Sequence, residues 1–126
     1  MEYSRGDLWD RWTIEWRKLN YGADNAATVI ALEKALDEGI DLTTVEARAV
    51  AMLAMANDSI AVLEWQIRAD HKLSDEEVGL RAREIRKING KRVWAKNFLD
   101  GKSLEFVPAF DIDFAKLNLA IPDAAK

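Results

Sequence analysis

Cysteine is absent from this 126-residue chain, proline occurs twice, glycine six times and histidine once. Without cysteine there are no disulfides, thiolate metal sites or thiol nucleophiles, and a reducing cytoplasm is the expected setting. Scarce proline and glycine disfavour a many-turned β-sandwich and favour long helices. The lone histidine, His71, cannot furnish a His-rich metal site. It falls at a helix junction, where a solvent-facing turn residue is expected rather than a general base. The opening MEYSRGDLWDRW has neither the basic nor the apolar region of a secretory signal. The longest apolar run, AVAMLAMA at 49–56, is too short for a bilayer, so no membrane association is expected. A net charge of −4 is too mild to demand a polyelectrolyte partner.

What is present suits one domain with one core. At 49% hydrophobic and 32% charged, a chain of this length buries roughly two thirds of its unfolded surface and folds without staples. The pattern predicts an all-α antiparallel bundle of about four helices. Ser4 with Asp7 opens the first, whose apolar stripe runs Leu8, Trp12, Leu19 and is widened by Trp9 and Trp16. Arg5-Gly6-Asp7 spells an adhesion tripeptide, but at a helix start its role is capping. Asp24 or Asn25 opens a second helix through about Glu38, and Thr43 or Thr44 a third. The third carries a sustained heptad, Ala49, Leu53, Ala56, Ile60, Leu63 and Ile67, which predicts a long antiparallel partner. Ser74 with Glu77 forms a capping box for a fourth helix running to about Asp100. Asn89-Gly90 is a hairpin signal, but its flanks lack period-two alternation, so Gly90 is read as a tolerated helix glycine. Residues 1–101 are thus predicted as the bundle and 102–126, with both prolines, as an extended C-terminal arm.

Few residues suggest chemistry. Glu76, Glu77, Glu84, Glu33, Asp37 and Glu38 are carboxylates, but they lie at helix ends or on outer faces instead of converging as a divalent-metal site requires. No metal ligands, catalytic residues or cofactor are therefore assigned. Residues 81–96 hold Arg81, Arg83, Arg86, Lys87, Lys91, Arg92 and Lys96 against Glu84 alone, while 24–46 are acidic. Mutual pairing of these segments, within or between chains, explains both without nucleic acid.

Polar residues on apolar stripes are more informative. Helical rotation puts Glu64 between Ile60 and Ile67, and Asn89 and Arg92 between Ile85 and Leu99. Buried charge there requires partners. A Glu64–Arg92 pair with Arg68 and Asn89 nearby is the first candidate, but counting from the turn at 70–74 separates those two by roughly 18 Å. Arg81 is then the expected hairpin partner of Glu64. Arg92 is expected to meet a residue near Asn57 or Ala51 on helix three, or a helix-one carboxylate such as Asp10 or Glu15.

The segment GDLWDRWTIEWRKL resembles the start of a family of small, all-helical bacterial and phage proteins, which open with Gly-acidic-x-x-Asp-Arg/Lys-x-Ser/Thr-Ile. VLEWQIR is similar to a Leu-x-x-x-Glu-x-x-Ile-Arg element. REIRKINGKRVWAKNFLDG resembles that family's Ile-x-x-x-Asn-x-x-Arg-x-x-x-Lys stretch. Matching positions are Asp10, Arg11, Thr13, Ile14, Glu64, Arg68, Asn89, Arg92 and Lys96. SLEFVPAF replaces the family's Glu-Lys-Ser-Tyr-like tail. The resemblance implies a helical fold and a polar cluster, not a reaction.

Helix one then has two working faces. Leu8, Trp9, Trp12, Trp16 and Leu19 are expected as core wedges or an interface; Asp10, Thr13, Ile14 and Arg17 carry the motif polar groups. The expected function is that of a self-associating helical binding or scaffold protein with a homo-oligomeric or other protein partner. The alternative is action on a phosphorylated or nucleotide-linked small molecule through Asp10, Arg11, Glu64, Arg68, Arg81, Asn89 and Arg92.

Overall fold

The computed structural model describes residues 3–38 and 42–101. The C-terminal arm expected at 102–126 lies outside them. Four helices follow in order: α1 (Arg5–Asn20), α2 (Ala26–Asp37), α3 (Thr44–Ala69) and α4 (Asp75–Leu99). Among the described residues there is no strand, and no helix is long and apolar enough to cross a membrane.

Local chemistry sets the helix starts. Ser4 Oγ accepts the Asp7 backbone N–H. Thr43 with Glu46, and Ser74 with Glu77, form reciprocal capping boxes. Asn25 begins α2 without a side-chain cap bond; its Nδ2 donates instead to the backbone oxygen and carboxylate of Glu15, tying α2 back to α1. Gly22 and Gly101 follow the ends of α1 and α4 with φ of 94° and 76°, the left-handed region glycine adopts without strain. α4 passes through Asn89-Gly90 unbroken.

α3 and α4 form the long antiparallel hairpin that the heptad predicts. Ala49, Leu53, Ala56 and Leu63 are fully buried against Ile88, Ala95 and Leu99 of α4. α1 lies in the groove of this hairpin, parallel to α3. Its ion pairs Arg5–Glu46 and Arg17–Asp58 both span 41 positions, so the two helices keep one register. At its N-terminal end α1 approaches α4 closely. The Gly6 backbone N–H donates to Asp100 Oδ1 at 2.6 Å, and a Cβ at Gly6 would collide with the backbone carbonyl of Lys96.

α2 stands apart. Among the described residues it packs on α1 alone. The working core is therefore a three-helix unit, α1–α3–α4, with α2 laid against its outside.

That placement answers why tryptophan is concentrated in α1. Trp9 packs on the Ala49, Met52, Leu53, Ala95 and Leu99 cluster. Its indole N–H is buried without a hydrogen-bond partner among the described residues. Trp12 meets Trp9 edge-on and Trp16 face-on, with ring centroids 5.8 and 5.9 Å apart, and its Nε1 donates to Glu33 of α2 at 3.3 Å. Of the three expected as core wedges or an interface, Trp9 is the one that packs on the core cluster. Trp16 is 48% exposed.

Candidate functional site

The inner face of α1 brings Asp10 and Thr13 against α3 and α4, and both are buried although polar. Arg92 of α4 grips Asp10 with the planar edge of its guanidinium. Nε donates to Oδ1 at 2.9 Å and Nη2 to Oδ2 at 2.7 Å, the two-pronged geometry in which arginine and carboxylate bind most strongly. Asn57 of α3 donates from Nδ2 to Asp10 Oδ1 at 3.0 Å and to Thr13 Oγ1 at 2.9 Å. Thr13 in turn donates to the Asp10 backbone oxygen at 2.7 Å. Arg92 Nη1 reaches Asn89 Oδ1 at 3.2 Å. One carboxylate thus ties three helices together.

Burial pushes the Asp10 carboxyl up, but the hydrogen bonds from Arg92 and Asn57, with the charges of Arg92 and Lys96, outweigh it. Its pKa is held below the ordinary carboxylate value. The Arg92 guanidinium is held above its ordinary value by its hydrogen bonds to Asp10, against desolvation. Lys96, one turn further along α4, pairs with Asp7 at 2.7 Å.

Beside this clamp, where the last turns of α1 meet the hairpin, lies an open groove of about 600 Å³. Ile14, Ile60, Ala61, Ala82 and Ile85 give it an apolar floor, while Arg17, Lys18, Arg86 and Arg92 stand around it against one acid, Glu64. Four of its five charged lining residues are cations, and three of these are paired with acids outside the lining, Arg17 with Asp58, Lys18 with Glu15 and Arg92 with Asp10. Arg17 Nε donates to Asp58 at 2.7 Å, and Lys18 lies 3.7 Å from Glu15. Arg86 is exposed.

The structure unites part of the sequence-predicted set. Asp10, Asn89 and Arg92 meet, and Asp10 is one of the partners expected of Arg92. Glu64 and Arg92 line the same groove without touching.

Three expectations need correction. Glu64 is exposed, not buried. The stripe facing α4 centres on Ala56 and Leu63, and Glu64 sits on its flank, about 100° round the helix from Leu63. Arg81 is buried but donates through Nε to Gln66 Oε1 at 3.0 Å, not to Glu64. Gln66 is the residue α3 directs at α4 near the hairpin end. Arg68 and Arg11 stand outside the cluster. Arg68 is exposed, and Arg11 lies against Tyr3, its Nη1 donating to the phenol oxygen at 2.9 Å. His71 is an exposed turn residue. Among the described residues no three His, Cys, Asp or Glu side chains are grouped to hold a metal ion.

Sequence reasoning named Asn57 only as a place on α3 near which Arg92 would fall and Arg17 only among the polar groups of α1, and it did not assign Arg86 to the site. The signal for Asn57 was available: a lone amide one turn from Leu53 and Ile60, on the flank of α3 that a second helix would approach.

Comparisons of the chain with protein-family models, with curated proteins and with solved structures find no match.

Proposed function

We propose that this protein is a helical binding module whose α1–α3–α4 groove takes an acidic, amphipathic helix of a protein partner. The observation that carries this reading is the lining of the groove: a strip of isoleucine and alanine beside the exposed Arg86, with the paired cations Arg17, Lys18 and Arg92 around it. An apolar floor with small residues admits the face of a helix, and the rim selects the sign of the charges flanking it. The clamp at Asp10 has a supporting role here. It fixes the spacing of the helices that form the walls.

A phosphorylated or nucleotide-linked small molecule is the second reading, favoured by the pocket-sized volume of the groove. Against it stands the state of Arg92, whose two-pronged edge is already spent on Asp10. The remaining arginines face the groove singly.

Titration of the ¹⁵N-labelled protein, followed by two-dimensional NMR, separates the two. An acidic amphipathic helical peptide is expected to shift the amides of Ile60, Ala61, Ala82 and Ile85, while a basic peptide of the same apolar pattern leaves them in place. Shifts at these amides with inorganic phosphate or nucleotides, and none with the acidic peptide, would overturn the helix-binding reading in favour of the second.

A further inference from the structure

The basic stretch of α4 and the acidic stretch around α2 invite pairing, yet among the described residues α2 makes no contact with α4. The acids described in residues 24–46 are Asp24, Glu33, Asp37, Glu38 and Glu46. Glu46 holds Arg5 of α1 and its own helix cap, and Glu33 accepts from Trp12. Among the described residues α2 packs on α1 alone, and Asp37 and Glu38 are exposed at its far end.

The outward side of α2 is itself amphipathic in the sense the groove requires. Val29 and Leu32 are buried against the rest of the molecule, whereas Ile30 is 63% exposed. At 100° per residue Ile30 shares its side of the helix with Ala27, Ala31 and Lys34, and Asp37 and Glu38 follow on that side about two turns on. This face, an isoleucine among small residues with Lys34 one turn on and the two carboxylates beyond it, sets its acidic end against Arg86 and Arg17 when Ile30 meets the floor of Ile60, Ala61, Ala82 and Ile85.

We infer that the partner of the groove is a second copy of this chain, with the outer face of α2 seated between α1, α3 and α4 of its neighbour. This rests on the groove being a site for an acidic helix, and it names that helix. The donor face of α2 and the groove lie on different sides of α1: Trp12 and Glu15 face α2, while Ile14, Arg17 and Lys18 line the groove. Copies joined this way meet head to tail, through two unlike surfaces.

Charge exchange tests the contact in the full chain. Sedimentation at low salt is expected to show a weight-average mass that rises with concentration, and about 0.5 M NaCl should weaken the association roughly tenfold, since exposed charge pairs are screened. Arg86→Glu alone, and Asp37→Lys with Glu38→Lys, should each raise the dissociation constant about tenfold or more, because like charges then face each other. Combining all three substitutions in one chain should restore association, as should mixing the Arg86→Glu protein with the α2 variant. All these positions are exposed, so circular dichroism should find every variant folded. A protein that stays monomeric at high micromolar concentration, or associates without regard to either charge reversal, would overturn the inference. The peptide titration tells the two failures apart: a monomer whose groove still binds an acidic helix retains the binding role and loses only the second copy as partner.

Discussion

Removing Arg92 should cost more stability than its position on the rim of a groove suggests. Its partner, Asp10, is only 3% exposed and takes three hydrogen bonds, two from Arg92 and one from Asn57. In Arg92→Met the aliphatic stem is kept, but an ionised carboxylate is left in a buried place with one amide donor. Stranding one partner of a buried pair costs about 3–5 kcal/mol. The Arg92 side chain is 28% exposed, so water recovers part of this, and about 2–3 kcal/mol is expected. For a chain of this size that lowers the melting temperature by about 10 °C. Asp10→Asn removes the charge and leaves Arg92 free to turn to solvent, so about 1–2 kcal/mol is expected. In the double variant neither charge is stranded, so urea denaturation of all four proteins should give a coupling energy of about 2 kcal/mol. The coupling should also depend on pH in one direction. The folded state holds the Asp10 carboxyl below its ordinary value, so its contribution is complete above about pH 4 and is lost as pH falls through the lowered value. The raised value of Arg92 lies far above this window and adds no dependence there. Additive effects of Asp10→Asn and Arg92→Met at pH 7, or a coupling that grows as pH is lowered to 3, would refute the clamp.

Two glycines inside helices should respond oppositely to alanine. Gly6→Ala places a methyl against the backbone of Lys96 and the carboxylate of Asp100, so a loss of about 1–3 kcal/mol should appear in chemical denaturation. Gly90→Ala meets nothing within 4 Å, and the better helix propensity should stabilise the protein by about 0.5–1 kcal/mol, read as a higher urea midpoint. Glu64→Ala, at an exposed position, should change stability by less than about 0.5 kcal/mol in the same assay; a loss of several kcal/mol would mean that Glu64 is buried after all.

Much of the fold was legible because its signals are local. The Thr43–Glu46 and Ser74–Glu77 boxes lie within one turn of chain, and Ser4 needs only Asp7. The α3 heptad predicts a long antiparallel neighbour, and the rise per residue separates Glu64 from Arg92 without any structure. The site was half legible, for a reason that α3 makes plain. A stripe of apolar residues shows which side of a helix faces its main partner, but not where a second helix will approach. Residues on the flank of the stripe therefore look alike in sequence. Asn57 and Glu64 both border it; α1 covers the first and stops short of the second. For the same reason Asp10 and Glu15 were equal candidates for Arg92, since choosing between them requires knowing how α1 is rotated.

The groove is a consequence of unequal helix lengths. α1 has 16 residues and α3 has 26, about 24 and 39 Å of helix. With α1 held in register by Arg5–Glu46 and Arg17–Asp58, its last turn comes level with about residue 61 of α3. Beyond that point no third helix among the described residues lies over the hairpin. Ile60 and Ile85, which a longer α1 would bury, are left partly open beside the cations of α1 and α4. Lengthening α1 through the Gly22 turn would extend the core over this shelf and close the groove, so the early stop of α1 belongs to the site as much as its side chains do. The clamp and the groove are also separable in their effects. A change at Asp10 or Arg92 loosens α1 and disturbs stability and binding together. Arg86 projects from α4, a helix already held along its length by α3, so reversing its charge alters what the groove attracts while the walls stay in place. A loss of binding in Arg86→Glu at unchanged stability would therefore assign that binding to the charge of the rim and not to the packing beneath it.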